Sequence, residues 1–548
     1  MSAANMKNAI STKRLLSVVA ATAALLLTTA AQAAAPGITG PTFNLTAQAA
    51  SISQPDGQAV YSWGYGCNGA PGGFSPASIT TTPACSTMQI PGPTLIVTEG
   101  QTVTVNLINQ LPTSAGNTSI LFPGFTLTST SGGVQGLLTQ EAPPGQTVTY
   151  TFTASSPGTR AYYSGTQGDL QVEMGLYGAI IVLPNGAPTN GSCPFHNPAA
   201  GIDPNATDQT TLTGTERDFR LSPTGAAYHL TQSCYDREYL FQFSEMDPNI
   251  HIQALAQVTA IANCTTTGGN TCPTTLNVPT EPYHPVYFMI NGRSMPDDMD
   301  TNYAAQYPNQ PYNGNPHMHP GELVLLRIIG QGRWQHPFHE HGNHVRVLAR
   351  DGNLIVSGLT GASASQLAGP LLFTTTTTPG QAMDGIFYWT GKGLNWDAYG
   401  HKPTSADPAA RLGCTPDPNG YNTGTAVRTK INYYEWCQDH NKPLQAAPFG
   451  DVAGGGPTTL PDPNLFTNGA WYGGSPYLGP NATVRATGPT GTTPPSGTIA
   501  NPPASEAGFA FMWHSHNERE ITTNNIFPGG MLMMMLVDSR EFVIDESN

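Results

Sequence analysis

The chain has 548 residues and a formal net charge of −14, only 10% of its residues are charged, and it holds 60 Gly and 49 Pro. A negative balance of this size argues against a nucleic-acid partner, since phosphate binding needs the opposite sign. So many turn formers among so few charges predict strands joined by turns rather than long helices. At roughly 150 residues per domain, the length allows about three units, or two that carry long insertions.

Residues 1–33 read as a bacterial secretory signal: Lys7, Lys13 and Arg14 precede an apolar run from Leu15 to Leu27, and Ala31-Gln32-Ala33 offers small residues for cleavage. Its removal takes away three cations and no anions, which moves the formal charge from −14 to −17. The run is too short and wrongly flanked to span a membrane, and no later segment replaces it. The expected location is therefore secreted or periplasmic.

From 41 to 185 short β-rich runs alternate with turns, among them Thr94–Thr98, Val103–Leu107, Val148–Thr153 and Tyr177–Val182, which predicts a first β-sandwich. A polar linker follows over 186–230. A second sandwich is expected over 231–548, from Arg237–Phe243 through Val286–Gly292, Leu323–Ile329 and Gly385–Trp389 to Gly508–His514 and Gly530–Val537. A Gly-, Pro- and Thr-rich insertion interrupts it at about 400–506. A diverged middle unit would make a third domain.

Eight cysteines, an even count in an exported chain, imply disulfides, and proximity suggests Cys67–Cys85, Cys193–Cys234, Cys264–Cys272 and Cys414–Cys437. Full pairing would leave no thiolate for a metal.

The chemistry concentrates in two histidine runs. In Trp513-His514-Ser515-His516 a strand puts both imidazoles on one face and Ser515 on the other, and His336-Pro337-Phe338-His339-Glu340-His341-Gly342 repeats the spacing with His339 and His341. Laid side by side, the two strands would bring four neutral imidazoles together, a good donor set for copper, zinc, iron or nickel.

These motifs resemble those of the multicopper oxidases, a family of cupredoxin domains that shares one type 1 copper and a three-copper cluster. His336–Gly342 matches the family's His-Pro-x-His-x-His-Gly, and His514–His516 matches His-Cys-His except at its centre. Gly158-Thr159 through Val182 is similar to the end of a first domain, and Ile290–Arg293 with Pro320–Glu322 to the approach to a later one. The resemblance implies an all-β fold of two (or three) Greek-key cupredoxin-like sandwiches. It makes His336 a type 1 ligand, His339 a type 2 ligand, and His341, His514 and His516 type 3 ligands. It also implies a small-molecule or metal-ion substrate and, from two-domain relatives, a homotrimer.

Departures from the pattern matter as much. Leu121-Phe122-Pro123-Gly124 stands where the family has His-Trp-His-Gly, and Tyr163-Ser164-Gly165 where it has His-Ser-His; Ser515 replaces the type 1 cysteine and Glu520 the histidine five residues on. Serine cannot supply the thiolate bond on which blue copper depends, so type 1 chemistry and four-electron reduction of oxygen are not expected.

What remains is a histidine-only site for one copper, with zinc or iron able to fill the same donors. Glu518 and Glu520 share a face with His514 and His516 if the strand persists, whereas Glu340 points away. The expected function is that of an exported copper-binding oxidoreductase. The alternative is a non-enzymatic cupredoxin-fold protein for copper storage, adhesion or assembly. His317-Met318-His319 is a lesser candidate for copper, and His344 is expected behind the ligands or at the surface. Met531–Met535 is expected in the core, and Tyr162 and Tyr163 are expected to fill the cavity left by the missing ligands.

Overall fold

A computed structural model describes residues 35–75, 85–189, 191, 193, 225–265, 271–318, 322–358, 366–389, 474–478, 507–538 and 544. It is mostly β, in two sandwiches. The first pairs a five-stranded sheet containing Leu95–Thr98, Gly158–Tyr163 and Tyr177–Leu183 with a second five-stranded sheet built on Thr42–Ser53, Ala59–Cys67, Thr102–Asn109 and Thr147–Thr153. Parallel pairs such as Tyr177–Leu183 on Leu95–Thr98 join strands distant in sequence, as crossover connections between the two sheets require. The alternation expected of half-buried strands is visible in Thr102–Asn109, where Val103, Val105 and Leu107 are buried and the residues between them are less so.

The second sandwich sets a sheet containing Arg237–Met246, Leu323–Gly330, Val345–Arg350 and Ala382–Tyr388 against one containing His336–Glu340, Ala507–Ser515 and Leu532–Asp538. Its core gathers Phe241, Phe243, Val324, Phe338, Phe387, Trp389 and Trp513. Met531, Met533 and Met535 are fully buried there, so the methionine run packs the core as expected. Within the long insertion, Gly474–Leu478 forms a strand antiparallel to Ala507–Ser515, an element that composition did not announce.

Composition also gave no sign of a 15-residue helix, Pro248–Ala262. Pro248 opens it, and the Asp247 carboxylate caps it by accepting from Asn249 N at 2.9 Å. Its Ile250 and Ala254 bury against the first sandwich, so that packing stabilises a helix with little intrinsic amphipathic signal.

The two sandwiches meet across an apolar seam that includes Ile96, Ala161, Ile181, Leu240, Ile329 and Ala382. Buried Arg327 pairs with Glu238 and Asp384 in this seam, and Thr159 and Tyr228 both donate to Asp384. Disulfides join Cys67–Cys85, Cys193–Cys234 and Cys264–Cys272. The expected signal segment, most of the linker, the Cys414–Cys437 pair and His319 lie outside the described residues. No helix among the described residues is long and apolar enough to cross a membrane.

Candidate metal centre

Two neighbouring strands carry the histidines. His336–Glu340 runs antiparallel to Ala507–Ser515, with Phe338 opposite Ser515 and His339 directly opposite His514. Phe338 and Trp513 point into the apolar core, and that choice turns His339 and His514 to the other face. Just beyond the strands, His516 N donates to Pro337 O at 2.7 Å and Trp513 Nε1 donates to His341 O at 2.9 Å, which extends the register to the second histidine of each pair. Gly342 completes the turn after His341: its φ is 102°, and a Cβ there would sit 3.0 Å from the Phe511 ring.

On this face one ligand atom each from His339, His341 and His514 lie within 4.8 Å of one another, and all three residues are buried. His514 Nε2 is 3.3 Å from His341 Nε2. His514 Nδ1 lies 2.7 Å from the Ser515 carbonyl, which can only accept, so the proton is on Nδ1 and Nε2 keeps its lone pair. The His339 ring stands 4.9 Å from that of His516, whose side chain is 48% exposed and lies 3.3 Å from Glu518. Burial, and then the neighbouring imidazoles, lower the His339 pKa to about 4. Burial is also the main cause that lowers that of His514. Both rings are thereby neutral, the form that ligates metal.

Behind the strands the picture reverses. His336 is fully buried, with Nδ1 2.9 Å from Glu520 Oε2 and Nε2 3.0 Å from Glu245 Oε2. A neutral imidazole has one N–H, so a ring that serves two carboxylates is an imidazolium. Burial opposes the charge, but the two carboxylates prevail and push the His336 pKa to about 9. Ser515 Oγ donates to Glu520 Oε2 at 2.5 Å, and Glu245 also accepts from Tyr283 and from the backbone of Arg333 and Trp334. The structure therefore places His336 apart from the other four candidate histidines.

The expectation that Glu518 and Glu520 share a face with the histidines fails because the strand ends at Ser515 and Glu518–Ile521 forms a 3-10 turn. That turn sends Glu520 inward to Ser515 and His336, while Glu518 stays exposed. Glu340 does point away from its flanking histidines: it is buried, accepts from Thr375 Oγ1 at 2.7 Å, and burial pushes its pKa to about 8. Two neighbours of the site went unforeseen, because nothing in a run of threonines marks them. Thr374 Oγ1 contacts His339 Nδ1 at 2.7 Å, and half-exposed Phe373 packs edge-on against His339 and His344.

In the first sandwich the substituted positions meet one another. Leu121 bridges to Tyr163, with Leu121 N donating to Tyr163 O at 2.7 Å, and a Cβ on Gly165 would lie 2.7 Å from Leu121 Cγ. Tyr162 is buried in the core and donates to Pro93 O.

Two models of a family described as multicopper oxidase match residues 76–187 and 279–382. The chain belongs to the multicopper oxidase family. Among curated multicopper oxidases and their kin, "Multicopper oxidase MCE" of Talaromyces pinophilus is 38% identical over 98 residues, 18% of this chain and 15% of the relative. An L-ascorbate oxidase of Cucurbita maxima is 38% identical over 110 residues, 20% of this chain and 18% of the relative. "Copper resistance protein A" of Escherichia coli is 39% identical over 93 residues, 17% of this chain and 14% of the relative. The matched stretches thus span less than a fifth of these relatives. The solved blue copper oxidase of Nitrosomonas europaea aligns at 14% identity with a TM-score of 0.41, covering 90% of this chain and 85% of that one. Copper is the cofactor that membership in the multicopper oxidase family implies.

Proposed function

We propose that this multicopper oxidase is an exported copper-binding oxidoreductase whose metal is held by His339, His341 and His514, with His516 closing the set from the solvent side. One observation carries the reading: three buried imidazoles from two paired strands present their ligand atoms within 4.8 Å of one another. The 3.3 Å between His341 Nε2 and His514 Nε2 fits two donors to a single ion, since nitrogens at about 2.0–2.1 Å from a tetrahedral metal stand roughly 3.3 Å apart. Copper bound there would take one electron at a time from a reduced small molecule or metal ion.

The chain's own residues set the conditions. Ser515 carries no thiolate and is committed to Glu520, and His336 is committed to two carboxylates, so the type 1 position lacks its donors. Leu121, Pro123, Tyr163 and Gly165 offer no imidazole from the first sandwich. The reading is thus of a reduced centre without type 1 copper or a complete three-copper cluster.

Elemental analysis and electron paramagnetic resonance of copper-loaded protein test it. The expected result is one ion per chain with a nitrogen-rich signal and no intense blue band; no copper after reconstitution would overturn it. Copper held without turnover of any electron donor would favour storage over oxidation.

A further inference from the structure

We propose that the seam between the sandwiches holds a second binding site, distinct from the histidine centre, for a small apolar carboxylate. An open-mouthed cavity of about 310 Å³ lies there, walled by Leu121, Tyr163 and Val172 from the first sandwich and by Arg333 and Pro379 from the second, with Leu138 at its rim. None of the histidines of the metal centre lines it.

Its volume is at the lower end of the range for small-molecule pockets, which favour domain seams, and it has room for roughly ten water-sized groups. Leu121, Tyr163 and Gly165 are three of the positions where the family pattern would place imidazole. Here Leu121 and Tyr163 line the cavity with aliphatic and aromatic carbon, beside Ser164 and the bare Gly165. That wall suits an apolar body.

Among the described residues that line the cavity, Arg333 alone is charged. Its guanidinium lies 4.0 Å over the Tyr283 ring and donates through Nη1 to Thr280 O at 2.8 Å, and its counter-ion through Nη2 is Glu281, whose side chain is 71% exposed. A pair with so exposed a partner is weak and exchangeable. A carboxylate on the cavity side would replace it with a charge-assisted, two-pronged contact. The loop that carries Arg333 is fixed in advance. The backbone N–H groups of Arg333 and Trp334 both donate to Glu245, and Gly332 lets the loop lie against that carboxylate: a Cβ there would sit 2.5 Å from Glu245 Oε2. A ligand on this loop would therefore be one residue removed from the carboxylate that holds His336.

Sodium benzoate titrated calorimetrically into metal-free, full-length protein is the test, with neutral benzyl alcohol as the probe of charge. Saturable one-site binding of benzoate, stronger than that of benzyl alcohol, is expected. Leu138→Trp, at an exposed rim position that leaves the fold alone, should weaken it by about tenfold or more. Arg333→Gln should abolish the preference for benzoate while benzyl alcohol still binds. An absence of saturable binding, or binding untouched by both Leu138→Trp and the cavity-filling Leu121→Trp, overturns the site. Equal affinity for the two probes overturns its anionic character.

Discussion

The two faces of one strand pair make opposite electrostatic choices. On the outer face His339, His341 and His514 crowd together as neutral rings. On the inner face, one strand thickness away, His336 is a charged ring between Glu245 and Glu520. The difference lies in the neighbours rather than in the residue type. Imidazoles packed against imidazoles disfavour each other's charge, whereas flanking carboxylates stabilise it by more than burial opposes it. The same side chain is thereby left neutral on one side and protonated on the other.

The largest expected effect comes from removing an outer donor: His341→Ala or His514→Ala should lower copper affinity by more than about a hundredfold in equilibrium dialysis, with little loss of stability. Glu520→Ala should do the reverse. It leaves a buried imidazolium with one partner and should cost on the order of 3–5 kcal/mol in denaturant unfolding while one copper per chain still binds.

The pH dependence sharpens the contrast. His336 has a folded pKa of about 9 against an ordinary value near 6.5, so its contribution is complete below about 6.5 and disappears as pH rises through 9. Its magnitude is on the order of 3 kcal/mol. Glu340, raised to about 8, adds a loss between about 4.5 and 8. His339, depressed to about 4, acts in the opposite sense and removes stability as pH falls from about 6.5 to 4. Melting temperature followed against pH in metal-free protein should therefore decline on the alkaline side, and His336→Gln should remove the part of that decline nearest pH 9.

The smallest effect is expected at Thr374. Thr374→Val should weaken copper binding by about tenfold through loss of the contact that orients His339, with the inner network and its alkaline decline unchanged.

Period-two spacing and the residue types were enough to locate His339, His341, His514 and His516 and to pair Cys67 with Cys85, because strand alternation and short loops are local rules. The resemblance to the multicopper oxidase motif marked Ser515 as standing where the family carries cysteine, which needs only one residue set against that motif. The fate of Glu520 was not legible: it depended on whether the strand continued past Ser515, and a 3-10 turn intervened. Thr374, Glu245 and the Pro248–Ala262 helix were missed for related reasons. Each owes its role to a partner 35 to 190 positions away in the chain, as with Thr374 at His339 and His251 against Tyr61.

By itself, then, the amino-acid order determined the sandwich fold, the family and the face on which the imidazoles stand, since alternation and motif spacing are properties of neighbours along the chain. Only the tertiary structure decided that His336 is a charged ring apart from the other histidines and that a cavity opens beside Leu121, Tyr163 and Gly165. Both depend on which distant carboxylates and loops the packing of two sheets and two sandwiches brings within about 3 Å, the range over which hydrogen bonds act.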